Sequence, residues 1–565
     1  MATILVALTA LGTAAAKNFT LTVLHTNDIH SHFVESNPAG GRCFPSAKDK
    51  CVGGVARIAT MVKKFRSDKS KNTIFLNAGD FYQGTYWYNV HKHKVVSAVV
   101  RELQYNATCL GNHEFDDGPA GLAPFLRDME KNIPVLVSNM DVSQVREMDC
   151  ITLQKSIILT VGGRRIGIIG AVTRETMINS RPGKLNITDE KSSIQEEATK
   201  LKQQDVNIII ALTHIGYRQE VNMTRDIPEI DIWVGGHTHS FLYTGSGHPE
   251  ENVPVGAYPT IVNRSAESIG LVVQAYWFGK FLGHIDVTFD QSGKIVTWEG
   301  KPILMDKSVQ EDVEMVKVLK PFKEKVENIT KVQVGRSLTY LNASDKVCRV
   351  QECNLGNCIS DSFFYYYATR LRASNKREPR SAVNAAIVNG GAIRASIDNI
   401  DNLIMEDLLT TLPFGSKITL VTVTGKTLKE LFEFSMSQYD RLSRTAPFFQ
   451  VSGMKIVFDP TAPVNDRVKS FQILCTRCTD PKYEPLQPTQ TYSIVTTDYV
   501  LHRMKPILQN ATQTLCQPDT ADNQAFKEYI QAKSPINCTL EGRMQFMDSS
   551  TNTTTQCAPE RYRRR

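Results

Sequence analysis

The chain has 565 residues, of which 41% are hydrophobic and 22% are charged, and its formal net charge is +7. That length exceeds what one hydrophobic core usually organises, so we expect at least two domains. The composition is ordinary for a folded globular protein. The mild positive charge favours anionic substrates and is far from the dense basic surface of nucleic-acid binders, so no nucleic-acid partner is expected.

Residues 1–16 form an apolar run that ends in three alanines. This pattern predicts a cleaved secretory signal peptide, and the alternative is a buried N-terminal helix or strand. No later stretch of about 18 apolar residues predicts a membrane-spanning helix. The C-terminal APERYRRR lacks the apolar tail of a lipid-anchor signal. We therefore expect a secreted, extracellular protein without a membrane anchor.

Cysteines and sequons favour the same location. The chain has twelve cysteines, and three closely spaced pairs stand out: Cys43/Cys51, Cys348/Cys353 and Cys475/Cys478. Short loops between paired cysteines are typical of disulfides formed in an oxidising compartment. Ten N-x-[S/T] sequons, from Asn18 to Asn552, predict a glycoprotein.

From residue 17 to about 307, short apolar runs alternate with helical stretches. The predicted strands are Phe19–Leu24, Ile74–Leu76, Ile133–Val137, Ile166–Ile169, Ile208–Leu212 and Ile232–Val234. The predicted helices are Arg57–Phe65, Val95–Leu103 and Ile194–Gln203. This repeat predicts an α/β domain, in which loops at the carboxyl ends of strands collect the chemistry.

Residues 308–331 have a helical period and form a candidate interdomain connector. Ser308 is its expected N-cap, and Pro321 is expected to kink or interrupt the helix. A second domain is predicted from 332 to 548, followed by a tail at 549–565. Its predicted strands are Ala386–Val388, Ile418–Val423 and Tyr492–Thr496.

Residues of metal-ligand type follow the predicted strands of the first domain. The candidate ligands are Asp28, His30, Asp80, Asn112, His214, His237 and His239. Asp28 and His30 are two residues apart, so they point to the same side of an extended segment. One such motif alone is usually a turn, but the whole set, each member at a strand end, indicates a metal centre. The ligand types suit zinc or manganese, with calcium as a further option, and the absence of Cys argues against a structural zinc site.

These motifs, with Gly111-Asn112-His113-Glu114 and Gly236-His237-Thr238-His239 among them, resemble those of the 5′-nucleotidase/apyrase family of calcineurin-like metallophosphoesterases. The resemblance covers nearly the whole chain after residue 16. It implies an α/β fold in which a β-sandwich flanked by helices is joined by a helical connector to a smaller α/β nucleotide-binding domain.

The resemblance also implies two divalent metal ions. The first would be bound by Asp28, His30, His239 and a bridging Asp80. The second would be bound by Asp80, Asn112, His214 and His237. His113 would contact the transferred phosphate, Asp116 would hold the His113 ring, and a water activated by the two cations would be the nucleophile.

In the second domain, Asn389-Gly390-Gly391-Ala392-Ile393-Arg394 matches the N-G-G-x-I-R segment of the family. The resemblance implies that Asn389 and Arg394 contact the nucleoside or its phosphate, and that Arg349 is another substrate arginine. Phe414 would stack on the base, and Tyr499 would supply the opposite face. The implied substrate is ATP, ADP or AMP.

The chain departs from the family pattern in three places. Residues 498–504 read DYVLHRM and lack the usual Gly-Gly-Asp-Gly loop, which leaves base selection open. Ser31-His32 stands where a small residue and an arginine are more common, so a weaker phosphate contact is expected there. The three close cysteine pairs fit disulfides of the family, but Cys358 lacks its family partner. The remaining cysteines cannot be paired from sequence: Cys109, Cys150, Cys516, Cys538 and Cys557.

We therefore predict an enzyme, a nucleotide phosphohydrolase of 5′-nucleotidase or apyrase type. Soluble secreted members of the family include salivary apyrases of blood-feeding arthropods. One alternative is a secreted, catalytically weak paralogue that binds nucleotides or a partner protein. Another is a metallophosphatase for other phosphate esters. The sequence leaves the oligomeric state open.

Overall fold

The computed structural model describes residues 18–247, 249, 253–265, 268–374, 383–439, 447–478, 480–508, 520–548 and 553–555. The predicted signal peptide at 1–16 lies outside the described residues, and so does the predicted tail at 549–565 apart from 553–555. Cys516 and Cys557 also lie outside them.

The first domain consists of strands and helices that alternate along the chain. Its strands are β1 (Phe19–Thr26), β2 (Asn72–Asn77), β3 (Ala107–Cys109), β4 (Val135–Leu136), β5 (Met140–Asp141), β6 (Ser156–Val161), β7 (Arg164–Val172), β8 (Asn186–Ile187), β9 (Ile208–His214), β10 (Ile232–Val234), β11 (Thr260–Ser265), β12 (Ser268–Val273), β13 (Phe281–Phe289), β14 (Ile295–Gly300) and β15 (Ile303–Leu304). Its helices are α1 (Val55–Ser67), α2 (Tyr86–His91), α3 (His93–Leu103), α4 (Gly118–Met129), α5 (Thr176–Asn179), α6 (Glu190–Gln203) and α7 (Tyr217–Asp226). Short 3₁₀ turns cover Pro45–Lys50, His113–Phe115 and Arg146–Met148.

Two sheets of this domain pack face to face. One has the order β14–β13–β1–β2–β3–β4, with β15 beside β13, and the other has the order β11–β12–β10–β9–β7–β6. Buried side chains of both sheets, such as Leu21, Ile74, Ile168 and Ile210, form a shared core. Helices α1, α3 and α4 cover the outer face of the first sheet, and α6 and α7 cover that of the second. The predicted β-sandwich flanked by helices is confirmed.

The centre of each sheet is parallel. Strands β1, β2 and β3 run in the same direction, and so do β7, β9 and β10. Strands β9 and β10 are buried on both faces, which explains their almost continuous apolar sequences. The carboxyl ends of the parallel strands meet at one edge of the sandwich, where the loops with the candidate ligands begin.

Helix α8 (Val313–Thr330) connects the domains. Its N-cap is Asp312, whose carboxylate accepts a hydrogen bond from the Met315 amide at 3.0 Å. The expected cap at Ser308 was therefore wrong, because Ser308 instead donates to Asp306 in the preceding turn. Pro321 lies inside the helix, which continues to Thr330.

The second domain is also α/β. Its strands are β16 (Gln333–Gly335), β17 (Ala385–Asn389), β18 (Leu403–Ile404), β19 (Ile418–Thr424), β20 (Phe449–Ser452), β21 (Met454–Phe458), β22 (Val468–Leu474), β23 (Tyr483–Pro485), β24 (Thr491–Thr497), β25 (Met544–Asp548) and β26 (Thr553–Thr555). Its helices are α9 (Asp345–Cys348), α10 (Asn354–Ser374), α11 (Met405–Thr411), α12 (Gly425–Ser437), α13 (Asp498–Arg503), α14 (Lys505–Leu508) and α15 (Asp522–Lys533), with a 3₁₀ turn at Gly390–Ala392. The sheet β19–β24–β17–β20 lies between α10 and α15 on one face and α12 on the other.

Four disulfides are formed among the described residues. Three are the close pairs seen in the sequence, Cys43–Cys51, Cys348–Cys353 and Cys475–Cys478. The fourth joins Cys358 to Cys538, 180 residues later, and supplies the partner that the sequence did not reveal. Cys109 and Cys150 form no disulfide with another described cysteine. No helix in the described part of the chain is long and apolar enough to cross a membrane.

Candidate active site

All seven candidate metal ligands come together at the carboxyl edge of the sandwich. Asp28 and His30 follow β1, Asp80 follows β2, and Asn112 follows β3. On the facing sheet, His214 ends β9, and the loop after β10 carries the other two ligands, His237 and His239.

The first candidate metal position lies between Asp28, His30 and His239. The Nε2 atoms of His30 and His239 are 3.0 Å apart. Asp28 Oδ1 is 3.3 Å from His239 Nε2 and 3.8 Å from His30 Nε2. The ligand atoms thus converge on one point, as metal coordination requires.

The second position shares Asp80 with the first. Asp80 Oδ2 is 3.1 Å from His214 Nε2 and 3.6 Å from His30 Nε2, so one carboxylate faces both positions. His237 Nδ1 is 2.9 Å from Asn112 Oδ1. The arrangement fits two ions bridged by a carboxylate.

Unpaired polar atoms test whether these residues fit divalent cations. Within the described ranges, Asp28 Oδ1 and His214 Nε2 are buried without a hydrogen-bond partner, a costly state unless a ligand completes them. Asp28, His30 and Asp80 also have positive φ angles of 51°, 48° and 58°. Non-glycine residues rarely adopt this conformation, and those that do are frequently found at functional sites. The donor set and its strain both fit a metal centre.

The local electrostatics favour neutral histidine ligands at the first position. Burial lowers the pKa of His30, and the positive charge of Arg394 adds to that effect. Burial also lowers the pKa of His239, where it outweighs the attraction of Asp28. Neutral imidazole is the form that binds a metal ion.

Glu114 organises the loop of the bridging ligand, a role that its place in the Gly111–Glu114 motif did not predict. Its carboxylate is buried and accepts four backbone N–H groups: those of Asp80 at 3.0 Å, Phe81 at 2.7 Å, Tyr82 at 3.0 Å and Gly111 at 2.6 Å. Burial, followed by the charge of Asp80, raises the pKa of Glu114 to about 7. The only sequence signal was its place directly after His113.

A second buried carboxylate supports the loop after β10. Glu220 Oε2 accepts a hydrogen bond from Gln274 Nε2 at 2.7 Å, and the same amide nitrogen donates to the Gly236 carbonyl at 3.1 Å. Glu220 Oε1 also accepts from Thr213 at 3.3 Å. The network connects both histidine-bearing loops of the second sheet, and no sequence pattern indicated it.

The predicted dyad is in contact. His113 Nδ1 is 2.6 Å from Asp116 Oδ2, and Ser180 donates to the other oxygen of Asp116 at 2.5 Å. Burial lowers the pKa of His113, but the Asp116 and Asp80 carboxylates outweigh it, so that its pKa is raised overall. The pair therefore favours a charged imidazolium beside the metal positions, oriented by Asp116.

His32 has a structural position. Its ring nitrogens hydrogen-bond to the carbonyls of His30 at 2.9 Å and Gly40 at 3.0 Å, and the ring stacks on Phe278 at 3.8 Å. Burial lowers the pKa of His32 to about 4. A neutral, buried ring supplies no positive charge to a phosphate, which agrees with the weaker phosphate contact expected at this position.

The predicted substrate residues of the second domain face the metal positions across a cleft. Arg394 Nη2 is 3.2 Å from His30 Nε2, and the Phe414 ring stacks on His113 with centroids 5.6 Å apart. Arg349, Asn389 and Tyr499 line the same cavity, whose volume is about 360 Å³. The structure thus brings together all fourteen residues named from the sequence. They are the seven metal ligands, the dyad His113 and Asp116, and the five substrate residues Arg349, Asn389, Arg394, Phe414 and Tyr499.

The fold and the paired metal positions define a two-domain metallophosphoesterase. Residues 21–241 match the family described as calcineurin-like phosphoesterase, and residues 329–505 match the 5′-nucleotidase C-terminal domain. The chain is 36% identical to Protein 5NUC of the sand fly Lutzomyia longipalpis, over 95% of this chain and 94% of that protein. It is 38% identical to the 5′-nucleotidase of Rattus norvegicus, over 95% of this chain and 92% of that protein.

A solved structure gives the same result. The 5′-nucleotidase precursor of Thermus thermophilus superposes with a TM-score of 0.82 at 30% identity, covering 94% of this chain and 99% of that one. The chain belongs to the 5′-nucleotidase family, and it is a nucleotide phosphohydrolase that depends on divalent metal ions.

Proposed function

We propose that this chain removes the phosphate of nucleoside 5′-monophosphates, and that it does so outside the cell. One observation carries the choice of a monophosphate: the Phe414 ring stacks on His113 at 5.6 Å. A base on the far side of Phe414 leaves a short path to the metal positions, which suits a ribose and a single phosphate.

The role of each residue follows from its position. Two divalent ions, when bound, supply an acidified water molecule and neutralise phosphate charge. His113 offers its Nε2–H to a phosphate oxygen while Asp116 holds Nδ1 at 2.6 Å. Arg394 and Arg349 add positive charge from the second domain, where developing negative charge needs donors that are already in place.

The proposed ligand division is the one implied by the sequence. The first ion would be held by Asp28, His30, His239 and Asp80, and the second by Asp80, Asn112, His214 and His237. Zinc and manganese are the proposed ions, because the sites combine imidazole nitrogens with carboxylate and amide oxygens.

We also propose secretion and the domain limits 17–307, 308–331 and 332–548. Four disulfides support an oxidising compartment. Helix α8 lies within the proposed connector.

Phosphate release from AMP, ADP and ATP tests the function, with purified protein that has been treated with a chelator and then supplied with zinc, manganese or calcium. We expect release from AMP that the chelator abolishes and a metal restores. Release from ATP and ADP, with little from AMP, would make the chain an apyrase. If none of the metals restores release from any nucleotide, the binding-protein alternative replaces the proposal.

A further inference from the structure

Arg503 lies on the wall of the nucleotide cavity at a position with no assigned role. It stands four residues after Tyr499 on α13. Residues four apart on a helix share a face, so Arg503 lies beside the proposed base-stacking ring.

Both domains hold the Arg503 side chain. Its Nη1 donates to the Tyr499 hydroxyl at 3.0 Å and to the side-chain oxygen of Asn179 on the first domain. The Asn179 amide nitrogen donates to Glu175 at 3.1 Å, which turns the Asn179 oxygen toward Arg503. Two fixed partners therefore orient a guanidinium that would otherwise have several rotamers.

The guanidinium has donors to spare and cannot accept a hydrogen bond. It carries five N–H groups, and its hydrogen bonds to Tyr499 and Asn179 are both made by Nη1. A group of this kind pairs with a carbonyl oxygen or a ring nitrogen of a base, and it repels an exocyclic amine.

We propose that Arg503 reads the edge of the base and makes the enzyme prefer bases with a carbonyl oxygen where adenine and cytosine carry an amine. The inference rests on the proposed function, because it takes the base to lie against Tyr499. Arg503 would meet the edge of a base stacked there, because its Nη1 lies 3.0 Å from the hydroxyl at the rim of the Tyr499 ring.

Two nucleotide pairs test the preference by kcat/KM: IMP against AMP, and UMP against CMP. We expect the wild type to favour IMP over AMP by about tenfold or more, since one well-placed base contact discriminates by roughly 5- to 150-fold. Arg503→Met should bring the IMP/AMP ratio of kcat/KM to within about twofold of one. Arg503→Lys keeps the positive charge but loses the planar guanidinium, so its ratio should fall between those of the wild type and Arg503→Met. His502→Ala is the matched control, because His502 is exposed on the same helix, and it should keep the wild-type ratio.

Two results would overturn the inference. The first is an IMP/AMP ratio of kcat/KM that is the same in the wild type and in Arg503→Met. The second is an equal loss of kcat/KM for all four nucleotides, which would give Arg503 only a role in holding the two domains together. If the wild type hydrolyses no nucleotide, the proposed function fails, and the base preference is tested separately. Calorimetry then compares the binding of inosine and adenosine to the wild type and to Arg503→Met.

Discussion

The cavity has a metal end and a base end, and the two are held in different ways. At the metal end, Asp28 and His214 are fully buried, and their loops continue the central parallel strands of the sandwich. At the base end, the short helix α13 meets the first domain through Arg181 and Asp498, whose side chains are 57% and 31% exposed. The metal ligands and the dyad therefore lie within one domain, whereas the proposed base contacts lie where the two domains meet.

The same contrast fits the departure from the family pattern at residues 498–504. A change at the metal end would leave a buried charge or polar atom unpaired, which costs several kcal/mol. A change at the base end alters partly exposed groups on α13 and leaves the sandwich intact. We therefore expect the largest mutational effects at the metal end.

His113→Ala should give the largest effect. It removes the imidazole that Asp116 orients beside the metal positions, so kcat for AMP should fall about 10³-fold. Asp116→Asn keeps the ring and weakens its orientation, so a smaller loss is expected. Steady-state kinetics on AMP measures both, and full activity of a clean His113→Ala preparation would show that the dyad is misassigned.

Glu114→Gln should weaken metal binding at the metal end of the cavity. The amide supplies only one oxygen for four backbone N–H groups, so the Asp80 loop should loosen and metal affinity fall about 10- to 100-fold. Elemental analysis after dialysis measures the bound metal. Glu130→Gln, at an exposed residue after α4, is the control and should retain the metal content of the wild type.

Tyr499→Ala tests the base end. Loss of one stacking face should lower kcat/KM for AMP about tenfold, since stacking on an aromatic ring contributes about 1–3 kcal/mol per base. Tyr499→Phe keeps the ring and should stay within about threefold of the wild type. An equal loss with ribose 5-phosphate, which has no base, would contradict the stacking role.

Arg181→Ala should give the smallest effect. The Arg181–Asp498 pair spans the domains at 2.9 Å, but it is exposed to solvent. Such pairs contribute about 0–1 kcal/mol, so kcat/KM for AMP should change by less than about threefold. A tenfold change would mean that this rim contact controls domain closure, and the two ends of the cavity would then be less independent than we argue.

Much of the site was predictable because its residues follow strands. Apolar runs such as Ile208–Leu212 predicted buried strands, and polar residues directly after them predicted ligands at one edge. The structure places these ligands within a few ångströms of one another, as with the 3.0 Å between His30 and His239. Their individual roles stay predictions.

Other features were not predictable because they depend on contacts distant in the chain. Glu114 is an acceptor for the Asp80 loop, 34 residues earlier. The Cys358–Cys538 disulfide spans 180 residues. Arg503 is oriented by a hydrogen bond to Asn179, which is 324 residues away on the other domain.

From the sequence alone we could predict the alternation of strands and helices, the kinds of metal ligand and the family, because each depends on local pattern and residue type. The tertiary structure alone decided that His32 is a buried neutral ring, that α8 begins at Asp312, and that Arg503 reaches the cavity. Burial, capping and approach across a cleft depend on which distant segments pack together, and one-dimensional spacing carries no information about that.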